Sequence, residues 1–344
     1  MSHTAKTRTS LYTRKKTSPD LSSRFPIIAT LFATFALACF MPPRALAAPS
    51  SNPPNLGTNV YVFTPNTPQD QIQATVDQIS TQQVSNQFGT QRYALLFEPG
   101  TYGSAANPLN FQVGYYTTVA GLGASPSDVV INGSIDVYNQ CVAGSCTALE
   151  NFWRSVSNLT INVTNPTFGC QTGEFWAVSQ AAPMRRVAVN GLVTLEDYCT
   201  APSFASGGFI ADSQFTGSTI INGSQQQWFT RNSNLDGWTN GVWNQVFSGV
   251  VNAPAQNFTT PPTGNPYTTL ATSPVTREEP FLYVDSAGNF NVFVPALQRN
   301  SSGTTWGAAR RPVPRSRSPI SSSPSRRTVC RRSTAHSPRA RTCS

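Results

Sequence analysis

Two pairs of adjacent carboxylic acids have the clearest capacity for acid–base chemistry: Glu196 with Asp197, and Glu278 with Glu279. General acid–base cleavage by carboxyl groups requires two of them to face one substrate. Adjacent residues on a strand point to opposite faces, so neither pair is expected to do this unaided. Glu278 also follows Arg277, which favours a surface ion pair. The sequence therefore offers no complete catalytic acid pair.

The sequence offers few side chains that suit nucleophilic catalysis or metal binding. Residues 49–306 contain no histidine, which removes Ser–His and Cys–His nucleophilic schemes. The same region has four cysteines, and four cysteines allow three pairings. Their spacing is wrong for zinc, so we expect no metal and no cofactor. We favour the disulfides Cys141–Cys146, across a turn-like loop, and Cys170–Cys199.

The formal net charge of +9 comes from the two ends of the chain. Residues 49–306 hold seven arginines, no lysine and fourteen acids, a net charge of −7. Nucleic-acid affinity depends on clustered Lys and Arg, so a nucleic-acid partner is not expected. Some polysaccharide lyases have a β-helix fold, and these enzymes bind acidic polymers through basic residues and Ca²⁺. A lysine-free, acidic body favours a neutral sugar instead.

Residues 1–47 are typical of a signal peptide. Basic residues precede an apolar stretch from Phe25 to Met41, and Ala45-Leu46-Ala47 is a small-x-small cleavage site. An uncleaved membrane anchor is the alternative, but the apolar stretch is short for a full span of about 20 residues. We expect a secreted protein, extracellular or periplasmic, without stable membrane association. Residues 48–58 form a Pro/Ser/Asn linker.

A short helix is predicted near the start of residues 59–306. Thr67 offers an N-cap before Pro68, and Ile72, Val76 and Ile79 follow at helical spacing as far as about residue 83. It lies between two predicted strands, residues 60–63 and 93–97. Such a helix can cover the open end of a stack of strands, whose edges would otherwise be unpaired.

Short apolar and β-branched runs recur to about residue 250, punctuated by Asn and Gly. The predicted strands are residues 116–120, 129–131, 159–163, 187–189, 208–210, 219–221 and 242–247. A sandwich or a solenoid fits such a pattern. Asn-Gly corners and the lack of long alternating strands favour an all-β, right-handed parallel β-helix, a pectate-lyase-like solenoid with a short N-terminal capping helix.

The C-terminal part contains two changes of composition. Residues 253–280 are Pro-rich and precede a predicted hairpin over 280–295, which we take as the end of a β-helix domain over 59–306. Residues 307–344 then hold ten Arg and nine Ser with no acid, lysine or aromatic residue. A disordered basic tail is one interpretation. Translation in a shifted frame, in place of a second β-helix, is the other and the favoured one.

Several long strings resemble the bacterial laminarinases of glycoside hydrolase family 55, over about residues 59–306. These strings are Gln87–Tyr102, Val119–Gly123, Asn151–Ser155, Trp176–Pro183, Ala205–Ser213, Gln225–Trp228, Gly241–Asn244 and Arg277–Leu282. The resemblance implies two tandem β-helices with a cleft between them, and inverting hydrolysis of β-1,3-glucan. It also implies that the general acid comes from the second β-helix, absent from this chain.

The resemblance assigns site residues in this half. It implies that Gln226 and Ser248 position the nucleophilic water and that Gln225 and Gln227 line the substrate site. A glutamine ladder that only stacks along the coil is the alternative. Among the tryptophans, Trp228 and Trp243 are expected to contact sugar rings, although a tryptophan is more often a core residue.

Two functions remain open at this point. One is a secreted, monomeric β-1,3-glucan (laminarin) hydrolase, present as its N-terminal half and inactive alone. The other is a non-catalytic β-helix, either an adhesin or a glycan-binding module. Glucose release from laminarin discriminates between them.

Overall fold

A computed structural model describes residues 54–142, 144–164, 170, 172–223, 227–239, 241, 243–259 and 263–306. The predicted signal peptide (1–47), most of the linker, Gln225, Gln226 and the tail (307–344) lie outside these residues. No helix in the described part of the chain is long and apolar enough to cross a membrane.

Short strands make up nearly all of the regular structure. In chain order the elements are β1 (Val60–Phe63), α1 (Gln69–Gln83), β2 (Tyr93–Phe97), β3 (Gly100–Tyr102), β4 (Leu109–Gln112), β5 (Thr117–Gly121), a 3-10 turn (Pro126–Asp128), β6 (Val129–Asp136), β7 (Gln140–Val142), β8 (Ser145–Thr147), β9 (Ser155–Val163), β10 (Glu174–Phe175), β11 (Met184–Asn190), β12 (Val193–Thr194), β13 (Gly207–Ala211), β14 (Gln214–Thr216), β15 (Ile220–Ile221), β16 (Gln227–Arg231), β17 (Trp238–Thr239), β18 (Gln245–Ser248), β19 (Tyr267–Leu270), β20 (Ser273–Thr276), β21 (Phe281–Val284), β22 (Phe290–Phe293) and β23 (Gln298–Ser301).

The strands stack in parallel as successive turns of one coil. The long sheet runs β1-β2-β5-β9-β11-β13-β16-β18-β19. A second face joins β3, β6, the later part of β9, the later part of β11 and β14, and a third joins β10, β12, β15 and β17. Each turn returns to the long sheet beside the previous one. The predicted parallel β-helix with a short N-terminal helix is confirmed.

Inward side chains form ladders because paired residues of parallel strands point to the same side. Val119 pairs with Val156, which pairs with Met184, which pairs with Ile210. All four are buried in the main core. Each rung therefore buries its apolar residues against the rungs before and after it, as expected of a solenoid.

Helix α1 packs into the same core. Ile72, Val76 and Ile79 are buried against it, as their helical spacing predicts. The predicted cap is wrong. Pro68 occupies the N-cap position with no side-chain capping bond, and the Thr67 hydroxyl accepts from the Thr64 amide at 3.1 Å instead.

The Pro-rich region over residues 253–280 contains two strands. It contains β19, which pairs with β18 and is the last strand in the order of the long sheet. It also contains β20, which pairs with β23 in antiparallel fashion. The predicted hairpin is present as β21 and β22, joined around Asp285.

Candidate functional site

The outer face of the long sheet around β13, β16 and β18 carries Gln227, one of the predicted site residues. Alternation along β16 places Gln227 and Phe229 outside, whereas Trp228 and Thr230 lie inside. Phe209 on β13 pairs with Phe229, and their ring centroids are 5.4 Å apart. The face therefore combines an exposed amide with a pair of aromatic rings.

Of the three predicted glutamines, the structure describes only Gln227, which is exposed on the outer face. Gln225 and Gln226 lie outside the described residues, so the role of Gln226 stays a prediction.

Ser248 does not share a site with Gln227. It pairs with Arg231, four residues further along β16 than Gln227, a separation of roughly 13 Å along the strand. It is also 6% exposed. Its hydroxyl lies 2.9 Å from the hydroxyl of Ser273. Ser248 is thus nearly buried beside β20, and its role in positioning a water stays a prediction.

An ion-pair cluster occupies the outer face beside Ser248. Glu278 Oε2 accepts a hydrogen bond from Arg231 Nη2 at 3.0 Å, and Glu278 Oε1 forms an ion pair with Arg231 Nη1 at 2.8 Å. Arg185 Nη1 lies 3.7 Å from Glu278, and Arg185 Nε lies 3.5 Å from Glu279. Both arginines also lie over the Phe209 ring, at 4.6 Å for Arg185 and 5.7 Å for Arg231.

The register explains this cluster. Arg185 pairs with Ala211, which pairs with Arg231. Arg185 and Arg231 thus lie on either side of Ala211, which is small. The nearly buried Glu278 carboxylate contacts both arginines. The expected pairing of Glu278 with Arg277 is wrong, since Arg277 Nε donates to the Pro295 carbonyl at 3.1 Å. A buried carboxylate paired with arginine is poorly suited to protonating a leaving group.

The other acid pair is structural. Asp197 is fully buried and accepts from the amides of Asn139, Cys199 and Thr200 at 3.0–3.1 Å. Its neighbour Glu196 is also buried. Asp197 therefore organises the loop that carries Cys199. Both favoured disulfides, Cys141–Cys146 and Cys170–Cys199, are present in the structure.

The tryptophans divide into core and surface residues. Trp228 is 2% exposed, so the expectation that it contacts substrate is wrong. Gly208 lies on the neighbouring strand β13 and pairs with Trp228. A Cβ at this position would lie 2.7 Å from the Trp228 ring, so the glycine leaves room for the ring. Trp176 and Trp238 are also buried, whereas Trp153 and Trp243 are 39% and 58% exposed. Trp243 thus remains available to a ligand.

Two buried acids were not anticipated from the sequence. Asp136 accepts from the Phe175 amide at 2.9 Å, and Glu174 accepts from the Ile135 amide at 2.9 Å. Burial, opposed by hydrogen bonds and reinforced by Asp197, raises the pKa of Asp136 to about 7. Burial and the charge of Asp136 raise the pKa of Glu174.

Asp212 was also missed. It accepts from Thr305 Oγ1 at 2.8 Å and from Arg186 Nη1 at 3.2 Å. Burial, partly offset by Arg186, raises its pKa to about 6. In the sequence, an acidic partner was indicated by Arg185-Arg186, two adjacent bases in a region that holds few bases. Among the described residues, no group of three or more Asp, Glu, Cys or His side chains forms a candidate metal site.

Comparison with known proteins identifies relatives of this chain. The chain is 51% identical over 256 residues to an exo-β-1,3-glucanase of Streptomyces sp. (strain SirexAA-E / ActE), which covers 74% of this chain and 38% of that enzyme. The structure of sacteLam55A from Streptomyces sp. SirexAA-E superposes with a TM-score of 0.65 at 49% identity, covering 77% of this chain and 44% of that one.

The predicted resemblance to the glycoside hydrolase family 55 laminarinases is confirmed over part of their length. A variant of sacteLam55A in complex with glucose matches with a TM-score of 0.63, 49% identity and coverage of 73% of this chain and 42% of that one. No family model matches the sequence. The chain thus spans well under half the length of these relatives.

Proposed function

We propose that this chain is the N-terminal β-helix of a β-1,3-glucan hydrolase of the inverting type. The observation that carries the proposal is the 51% identity to an exo-β-1,3-glucanase over 256 residues. The exposed Trp243 and Gln227 support it, because sugar rings stack on indoles and their hydroxyls bond to amides.

The general acid is proposed to come from outside the described residues. Inversion requires a carboxylic acid on one side of the bond and a water on the other, with the two catalytic groups about 6.5–9.5 Å apart. On the described outer face, Glu278 is committed to Arg231, and Glu279 lies beside Arg185. This half is therefore proposed to bind glucan but to be inactive alone.

The proposal includes export. The basic start, apolar stretch and Ala45-Leu46-Ala47 support cleavage of a signal peptide after Ala47. The net charge of −7 over residues 49–306 supports a neutral glucan partner and no nucleic acid. We propose that the exported protein is monomeric. Mass spectrometry of the exported chain tests the cleavage, and an intact Met1 retained in membranes contradicts it.

The deciding experiment measures glucose release from laminarin. The purified chain is compared with a fusion in which the remaining part of the Streptomyces enzyme follows Trp306. We expect no turnover by the chain and glucose release by the fusion, with the α-anomer first in the NMR spectrum.

Two other outcomes contradict the proposal in different ways. Equal turnover by the chain and the fusion places the acid in this half, with Glu279 the first residue to test. A folded fusion that binds laminarin without turnover supports a glycan-binding module instead.

A further inference from the structure

The exposed indole of Trp243 is carried by a short segment that leads into β18. Trp243 is 58% exposed, whereas Gln245, two residues later and the first residue of β18, is fully buried. Side chains alternate along a strand, so Gln245 points to the same side as Phe247, which belongs to the main core. An interior side chain thus lies directly beside an exposed tryptophan.

Gln245 holds the Trp243 backbone from inside the coil. Its Nε2 donates to the Trp243 carbonyl at 2.7 Å. The Gln245 backbone amide donates to the Pro266 carbonyl at 2.9 Å, which fixes the start of β18 on the next rung. Gly241 lies against the same side chain, because a Cβ there would lie 3.1 Å from Gln245 Cγ. The donor to Trp243 is therefore itself held in place.

Thr268 holds the same segment from the outer face. Thr268 Oγ1 donates to Asn244 Oδ1 at 2.9 Å. Thr268 pairs with Val246, which pairs with Phe229, so Thr268 lies in the outer column that contains the exposed Phe229 ring. The Asn244 side chain is thus tied to the outer face of the long sheet.

Two hydrogen bonds therefore reach consecutive residues from opposite faces of one sheet. The first fixes the Trp243 carbonyl and the second fixes the Asn244 side chain. Ordering a mobile backbone or side chain during binding reduces the affinity for a ligand. A segment that is already ordered avoids this loss, and only the rotation of the indole about its own side-chain bonds remains.

We infer that Gln245 and Thr268 are positioning residues, which hold the Trp243–Asn244 segment so that the exposed indole is presented to a ligand from a fixed backbone. Both act through the segment that they hold and not by contact with reacting atoms. The use of the indole for a sugar ring rests on the proposed function, whereas the two hydrogen bonds do not depend on it.

A spectroscopic test examines the positioning without any ligand. The full chain is labelled with fluorotryptophan, and Trp243→Phe identifies the fluorine NMR resonance of Trp243. Thr268→Val keeps the shape of the side chain but removes its hydroxyl, and Gln245→Met removes the amide donor. We expect both variants to shift or broaden the Trp243 resonance. Thr268→Ser, which keeps the hydroxyl, should retain the resonance of the parent.

Gln256→Leu is the matched control. Gln256 Nε2 donates to the Tyr267 carbonyl at 2.6 Å, and Gln256 Oε1 accepts from the Thr269 amide at 2.9 Å. This glutamine therefore anchors a different segment to the same strand, β19, and its loss should lower the Tm without moving the Trp243 resonance. A resonance that moves equally in the control reports general loosening and overturns the inference.

An unchanged Trp243 resonance in the two test variants also overturns it. Thr268 is partly exposed, so Thr268→Val decides the outcome if Gln245→Met does not fold.

Kinetics in the laminarin-hydrolysing fusion extend the test to the proposed function. Thr268→Val and Gln245→Met should each raise KM for laminarihexaose by roughly threefold to tenfold and leave kcat nearly unchanged, because ordering one side chain on binding has about this effect. In a Trp243→Ala background, the same substitutions should have no further effect. An equal increase in that background would show that they act elsewhere. A fusion without turnover contradicts the proposed function alone, since the fluorine resonance still decides the positioning.

Discussion

Arg231 and Glu278 form a two-point ion pair, with Arg231 Nη1 2.8 Å from Oε1 and Nη2 3.0 Å from Oε2 of the carboxylate. The residues are 47 positions apart and lie on β16 and on the segment after β20. Paired in this geometry, they tie the segment after the last rung to the outer face of the long sheet. The Glu278 side chain is nearly buried, so the pair is shielded from solvent and salt.

Removal of the Glu278 charge is expected to destabilise the protein strongly. In Glu278→Gln, Arg231 keeps a buried charge without its carboxylate, which typically costs about 3–5 kcal/mol. Glu279→Gln is the matched control, because Glu279 is mostly exposed at the same arginine cluster and exposed pairs contribute at most about 1 kcal/mol. Urea unfolding measures both. Similar losses in the two variants would mean that the buried pair has no special role.

The buried acids Asp136 and Glu174 predict a pH-dependent stability. Their folded pKa values are raised, to about 7 for Asp136 from an ordinary 3.8. The folded state therefore holds protons that the unfolded state releases, and stability falls as pH rises from about 4 to about 7. Thermal unfolding across this range is the measurement.

Glu174→Gln isolates this effect. Glu174 Oε2 accepts from the Ile135 amide, whereas buried Oε1 has no hydrogen-bond partner. An amide thus keeps the useful acceptor and removes the charge. We expect a higher Tm than the parent at pH 8 and a similar Tm at pH 4. Because the pKa of Asp212 is also raised, to about 6, the variant should still lose some stability as the pH rises. A Tm difference that is the same at both pH values would show that Glu174 does not titrate in this range.

The coil and its helix were predictable because their causes are local. Asn-Gly corners and short β-branched runs specify a rung, and three apolar residues at helical spacing specify the buried face of α1. The strand β19 was missed because its Pro-rich flanks suggest a loop. Its pairing with β18 satisfies the backbone of the last rung, which overrides the local composition.

The candidate site was less predictable because its causes are long-range. Trp228 is buried because Gly208, twenty residues earlier, leaves room for its ring. Glu278 pairs with Arg231 and not with its neighbour Arg277, because the sheet register places two arginines on either side of Ala211. Neither relationship is visible in spacing along the sequence. The stacking of Trp153 on Tyr116 likewise depends on the register between rungs.

The two disulfides are expected to differ in their contributions to stability. Cys141–Cys146 closes a separation of five residues and Cys170–Cys199 one of twenty-nine. The chain-entropy description gives about 2 kcal/mol for the short loop and about 4 kcal/mol for the long one. Cys-to-Ala double variants, compared by urea unfolding, should follow this order. Non-reducing peptide mapping of the parent checks the pairing, and free thiols at all four positions would refute it.

Gln226 and Gln227 are expected to affect catalysis differently in the laminarin-hydrolysing fusion. The family resemblance gives Gln226 the role of holding the attacking water, so Gln226→Ala should lower kcat by about 10²–10³, as loss of one preorganised hydrogen bond does elsewhere. Gln227 lies exposed on the outer face, where it would contact substrate equally before and during reaction. Gln227→Ala should therefore raise KM and leave kcat nearly unchanged. Steady-state kinetics on laminarihexaose, with circular dichroism to verify folding, separate the two. If Gln227→Ala shows the large loss in kcat and Gln226→Ala does not, the water is held by the glutamine that the strand register turns outward. If neither changes the kinetics, both glutamines serve only to stack along the coil.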